Sequence, residues 1–396
     1  MGQKFHKLLF FILNVFLISL TINDNEIKLY NFDSIVHLTI KGKGEQLLLS
    51  DDFHRYNPSK VLVNGINKEN CSLICNLEQD INNITLIFTD KFLSCNQMFY
   101  QLKNIVNVDL SEFDISKVTD MSYMFASCYN IEKIEFGNIN SSSLQDMRLL
   151  FQACGKLTSM DLSNFDTSKV TDMSFLFSIC SEIKTINFGK INTSLVKNMG
   201  HFFFGCNKLT SIDVSEFDTS QVTDMSYMFR DCSNLKFLNL LNFNTEKVSN
   251  MKYMFQDCKS LIYLNLKSFS INSQVILEDI FININTDLKL CTRNIVLGSV
   301  LPNYNLQNDC SDSCFQENIM LNLIYKNCTN SCPNFGYEYK NICDYKCPKG
   351  TLLNNSSCED NECDKNEQSL ALIYQNSIEC LGKTPQGYLL LNGLYF

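Results

Sequence analysis

Residues 157–180, LTSMDLSNFDTSKVTDMSFLFSIC, carry a pattern that returns every 26 residues. Phe99, Phe125, Phe151, Phe177, Phe203, Phe229, Phe255 and Phe281 stand at that interval. So do Cys128, Cys154, Cys180, Cys206, Cys232 and Cys258, and Met121, Met147, Met173, Met199, Met225 and Met251. Columns in register over this length identify a repeat array. Within one unit, Met121, Met124, Phe125 and Cys128 fall at i, i+3, i+4 and i+7, the apolar stripe of a short helix. Thr119 is placed to cap that helix, and Asp120 to favour its dipole. Ile131, Ile134 and Phe136, matched by Leu157, Met160 and Leu162 one unit later, alternate as a short strand does. The spacing therefore predicts an α/β solenoid of about seven strand-turn-helix coils, with the phenylalanine and cysteine columns as its core ladders. Phe113, Phe165, Phe217 and Phe243, replaced by Ile139 and Ile191 in two coils, supply a further buried position.

The segments DLSEFDIS (109–116), DLSNFDTS (161–168) and DVSEFDTS (213–220) alternate with EFGNINSS (135–142) and NFGKINTS (187–194), so the underlying period is 52 residues. That period puts the glycosylation sequons at Asn140 and Asn192 on one edge, two coils apart, which marks this edge as turned away from partners. Units such as 157–180 and VTDMSYMFRDCSNLKFLNL (222–240) resemble the BspA-like leucine-rich-repeat surface proteins, with their DUF285-type repeats, over about residues 95–290. The resemblance implies leucine-rich-repeat-like coils in an exported, surface-exposed protein of microbes and protists, associated with adhesion to host or matrix proteins or to other cells. It implies no catalytic site.

Lys4 and Lys7 precede the apolar run LLFFILNVFLISL (8–20), which has the form of a secretory signal over residues 1–22 and is short for a membrane span. Beyond it the chain is expected in an oxidising compartment, where clustered cysteines are read first as disulfides. Sequons at Asn70, Asn83, Asn140, Asn192, Asn327, Asn354 and Asn355 agree with export. Residues 23–94 do not repeat; IVHLTIKG (35–42), EQLLLS (45–50), KVLVNGI (60–66) and ITLIF (84–88) read as strands of a β-rich N-terminal cap over the first coil. Cys71 and Cys75 are close enough in sequence to pair locally, and Cys95 takes the methionine position of the first coil. The repeat region is assigned to 95–290 and a cysteine-rich region to 291–396. There Cys310, Cys314, Cys328, Cys332, Cys343, Cys347, Cys358 and Cys363 are similar in spacing to furin-like or growth-factor-receptor cysteine-rich repeats. Disulfides are favoured over zinc because the pairs are Cys-x3-Cys rather than Cys-x2-Cys; the connectivity stays open. The ladder cysteines are expected as free, buried thiols because they share a stripe with methionine and phenylalanine.

The 396 residues include 33 Lys plus Arg against 42 Asp plus Glu, a net charge of −9, which argues against nucleic-acid partners. Of four histidines, His6 lies in the signal, and His37, His54 and His201 have no neighbour at a catalytic or metal-binding spacing. No nucleotide, zinc-protease or nucleophile-elbow motif occurs, so neither an enzyme nor a cofactor or metal is expected. Asp109, Glu135, Asp161 and Asp213, with Asn187, Asn239 and Asn265 completing the column, form an acidic stripe. It is either a docking face for a basic partner or calcium, or a solvated surface. Asp114, Asp166 and Asp218 begin Asp-x-Ser turns. The functional expectation is a secreted or cell-surface protein that binds extracellular protein or glycan ligands. The alternative is the ectodomain of a receptor whose transmembrane segment follows Phe396, since LLLNGLYF (389–396) is too short to span.

Overall fold

A computed structural model of the chain describes residues 34–292 other than 54 and 287, together with Leu297 and the backbone of paired strands outside this range. Residues 1–17 of the expected signal lie outside the described residues, and Ile18–Asn23 pairs with Glu26–Asn31. Two compact units are formed, Met1–Leu306 and Gln307–Phe396. In the second, three hairpins join in one six-stranded sheet: Met320–Asn322 with Asn327–Thr329, Tyr337–Tyr339 with Ile342–Asp344, and Thr351–Asn354 with Ser357–Asp360. The side chains of the eight candidate disulfide cysteines, Cys310 to Cys363, lie outside the described residues, as do those of Asn327, Asn354 and Asn355.

In the first unit, the alternating pattern of strand Ser34–Lys41 buries Val36, Leu38 and Ile40. This strand pairs antiparallel with Ile81–Phe88 on one side and with Ile105–Asp109 on the other. Ile105–Asp109 then pairs in parallel with Lys133–Glu135, its equivalent one repeat later. The N-terminal strands thus continue the sheet that the repeats begin, satisfying an edge that would otherwise be open. Further along, Ser159–Asp161 pairs with Thr185–Asn187, and Phe237–Asn239 with Tyr263–Asn265 and Lys289–Cys291, all in parallel.

The α/β strand-turn-helix solenoid inferred above is corrected by the backbone hydrogen bonds. No helical element falls among the described residues of 34–292, and the repeats are β-rich, in small sheets linked by ladders of turns. In the segment read as a helix, the amides of Met121, Tyr123, Phe125 and Ser127 donate to carbonyls of Asp146, Arg148, Leu150 and Gln152, in the next unit. The intervening amides of Met124, Ala126 and Cys128 close turns onto Met121, Tyr123 and Phe125. An α-helix would direct each amide to the residue four before it. Here half of the amides leave the segment, so Thr119 caps nothing; its hydroxyl donates to Leu93 O at 3.3 Å. The i, i+3, i+4, i+7 stripe is buried all the same, because two consecutive turns also point those four side chains inward.

Phenylalanine rings at 26-residue intervals stack nearly parallel from Phe99 to Phe281, with centroids 5.3–6.3 Å apart. Each buried ring contributes about 1.5–3 kcal/mol by removal from water, with offset stacking in addition. The 52-residue alternation has a packing cause. Units with Leu162 at the strand end carry Phe165 three residues on, whereas those with Phe136 or Phe188 carry Ile139 or Ile191, so each contributes one large ring. Phe136 meets Phe165 edge-on at 4.9 Å, and Phe188 meets Phe217 at 5.0 Å. Gly189 stands over Ser163 with φ +55°, and a Cβ there would come 2.6 Å from the Ser163 Cβ.

Candidate functional site

Each repeat turns through corners built on aspartate or asparagine, whose side-chain oxygen accepts the amide two residues on. The strand-exit column is one of these. Asp109, Asp161 and Asp213 accept from Ser111, Ser163 and Ser215 at 2.8, 2.8 and 3.0 Å. Asn187, Asn239 and Asn265 accept from Gly189, Leu241 and Lys267 in the same way. Glu135 instead pairs with Lys133 at 2.6 Å. Burial pushes the Asp161 carboxyl up, but hydrogen bonds from Ser163 and Asn187 outweigh it and hold the group below the ordinary range. The stripe is thus engaged in turn closure. Among the described residues no group of three or more His, Cys, Asp or Glu could hold a metal ion. Asp114, Asp166 and Asp218 close the next corner on Ser116, Ser168 and Ser220. The sequon residues Asn140 and Asn192 occupy that same corner in the alternate units, exposed, and accept from Ser142 and Ser194. Asn70 and Asn83 are exposed as well.

A third corner, Asp120, Asp146, Asp172, Asn198, Asp224 and Asn250, is linked between units by parallel bridges. Burial raises the Asp146 carboxyl, with Arg148 opposing and the flanking Asp120 and Asp172 adding to the rise.

Beyond this corner the turns present a feature that the helix reading missed. The third residue of each turn has positive φ: Tyr123 59°, Phe175 57°, His201 59°, Tyr227 58° and Tyr253 58°. These side chains are only partly buried, while Met121, Met124, Phe125 and Cys128 fill the core. Units in register stack them into a column: Phe175 on His201 at 4.1 Å, His201 on Tyr227 at 4.2 Å and Tyr227 on Tyr253 at 4.9 Å. A left-handed residue costs about 1–2 kcal/mol. Stacking at about 0.5–1.5 kcal/mol per pair offsets much of that. Arg230 lies with its guanidinium carbon 5.4–5.7 Å from the rings of Phe204, Tyr227 and Tyr253, and Lys252 Nζ is 5.5 Å from Tyr227. Arg230 Nε stands 3.5 Å from Asp231 Oδ2, an ion-pair contact without a hydrogen bond. His201 Nδ1 and Gln256 Oε1 are likewise buried without hydrogen-bond partners among the described residues. Burial depresses the His201 imidazole to about 4, with Asp224 opposing and Arg230 and Lys252 adding to the fall, so it is neutral at physiological pH. His37 is elsewhere, against Thr85 and Glu112, and His54 lies outside the described residues. The aromatic residues two places after Met173, Met199, Met225 and Met251, at the same interval of 26, were the available signal for the column.

The cysteine ladder lies on the opposite, inner side of these turns. Cys128, Cys154, Cys180, Cys206, Cys232 and Cys258 are buried free thiols, as is Cys95. Each ladder thiol donates to the carbonyl of the phenylalanine 29 residues earlier, from Cys128 to Phe99 O at 2.9 Å through Cys258 to Phe229 O at 3.0 Å. Burial pushes the Cys128 and Cys180 thiols up to about 12, which keeps them protonated and unreactive. Cys71 and Cys75 form a disulfide, and Cys291 is disulfide-bonded too. Phe125, Phe151, Phe177, Phe203, Phe229 and Phe255 are fully buried. No helix among the described residues is long and apolar enough to cross a membrane.

A family model described as "Mycoplasma protein of unknown function, DUF285" matches residues 93–185 and 172–290, together half of the chain. No curated protein matches it.

Proposed function

This chain belongs to the DUF285 family, and on that premise we propose that it is a non-catalytic recognition protein of the cell exterior whose repeats hold a rigid contact face for protein partners. The observation that carries this reading is the outward column Phe175, His201, Tyr227 and Tyr253 with Arg230 laid against it. Tyrosine and arginine are the residues that most often dominate binding energy at protein interfaces, when held in place and partly desolvated. Here the backbone beneath them is tied unit to unit, so little ordering cost remains to be met on association. Export is supported by the apolar run 8–20 after Lys4 and Lys7, and an adhesive role by the likeness of the repeats to BspA-like surface proteins.

Two measurements test the reading. Biotinylation of intact cells should label the protein, and labelling only after lysis would remove the exterior assignment. Interferometry against a panel of purified extracellular-matrix proteins should find a partner that the double substitution Tyr227→Ala, Arg230→Ala weakens roughly a thousandfold, at about 2 kcal/mol per central residue. Binding that the double variant leaves intact would place the contact elsewhere.

A further inference from the structure

On the strand side of the first repeats, far in sequence from the ring column, a cavity of about 620 Å³ opens between the N-terminal sheet and the first coils. Its size is that of small-molecule sites, which run from roughly 300 to 1,000 Å³. Three lysines line it: Lys41 from the end of strand Ser34–Lys41, Lys103 before strand Ile105–Asp109, and Lys156 two repeats on. Among the described residues none of the three has a carboxylate within ion-pairing distance, whereas Lys43, Lys68, Lys133 and Lys259 all do. Glu132 is the one acidic residue of the lining. The groove is therefore locally cationic on a chain whose net charge is −9.

The remaining lining sets a few polar side chains among largely apolar surface, to which Ile81 and Val106 contribute. Asn107 and Thr39 bring an amide and a hydroxyl, and Asn130 is held by donation from its Nδ2 to Lys103 O at 2.8 Å. Ile81, 61% exposed, supplies the apolar edge. Donors and acceptors side by side suit the hydroxyls of a sugar ring, the Ile81 edge suits its C–H face, and unpaired ammonium groups suit a carboxylate. We infer that this groove binds an acidic sugar, a uronate unit of an anionic polysaccharide, as a second recognition site distinct from the ring column. The inference keeps the recognition reading but uses none of the residues that carry it, so either can fail alone.

The test is calorimetric titration of the full chain with trigalacturonate at low and moderate salt. Asn83→Gln serves as the background, because Asn83 is the sheet partner of Thr39 and a glycan there would stand at the groove. Binding is expected, weakening as salt screens the charges, and the triple variant Lys41→Gln, Lys103→Gln, Lys156→Gln should bind at least about tenfold more weakly, at roughly two- to fivefold per exposed lysine. Lys184→Gln with Lys236→Gln, on the same strand side but beyond the groove, should bind as the parent does. No heat with trigalacturonate at millimolar concentration, or binding indifferent to the three lysines, would overturn the site. Lysine-dependent capture of a glutamate-rich peptide without trigalacturonate binding would overturn the assignment to a sugar. Thermal melts of each variant confirm that exposed lysine changes leave the fold intact.

Discussion

Gly205→Ala separates a turn ladder from a helix by the sign of its effect. Gly205 has φ +73° and occupies the place that Ile179 and Asp231 take in the neighbouring units, at 61° and 58°. Its amide donates to Arg230 O at 2.8 Å, a bond that alanine keeps. An added Cβ would lie 3.5 Å from Ile179 Cα, ordinary contact, so sterics contribute little. What remains is the backbone: about 1–2 kcal/mol for alanine in the left-handed region. Reduced freedom of the unfolded chain returns about 0.4–1 kcal/mol. The net expectation is destabilisation of about 1 kcal/mol, whereas the same change inside a helix would stabilise by about 0.8–1 kcal/mol. Urea denaturation of wild type and variant, with the slope unchanged, resolves a difference of this size from the midpoint. The midpoint should fall for Gly205→Ala and fall less for Gly205→Asn, since asparagine tolerates this conformation. A midpoint raised by alanine would refute the turn assignment.

Gly189→Ala should cost more than Gly205→Ala, beyond about 2 kcal/mol, because positive φ is joined there by an approach of 2.6 Å to Ser163 Cβ and 2.7 Å to its Cα, backbone that cannot swing aside as a flexible side chain would; an equal urea midpoint for the two variants would contradict this. An aromatic thiol reagent at pH 8 should leave the native ladder untouched and react on unfolding with at least the seven buried thiols, Cys95 and the six ladder cysteines; fewer than four would mean that the ladder is oxidised. His201 has its imidazole depressed below the unfolded value, so the unfolded chain binds more protons between about 4 and 6.5 and stability is lost as pH falls through that window. His201→Phe, matching Phe175 in the same column, should keep the fold at neutral pH and flatten that part of the melting-temperature profile; an unchanged slope would show that other groups cause it.

The repeat, its interval and its buried columns were readable in the sequence because identical side chains at a fixed spacing leave no other use for themselves than stacking. Met121, Met124, Phe125 and Cys128 all face the core, as their spacing indicates. That spacing could not distinguish a helix from two tandem turns, since both place i, i+3, i+4 and i+7 on one side. The distinction lies in where the amides of Tyr123 and Phe125 go, and their acceptors, Arg148 and Leu150, are 25 residues away. The same long-range bonds hold Phe175, His201 and Tyr227 left-handed and turn their rings outward, so a contact face arises where helical periodicity expected only a flank. Asp109, Asp161 and Asp213 stood out in sequence as charges, yet their nearest donors make them corners. The lysine groove depends on Lys41, Lys103 and Lys156 meeting across separate strands and coils. Local pattern decides which residues are buried; which amide finds which carbonyl is a non-local choice, made only when the units stack.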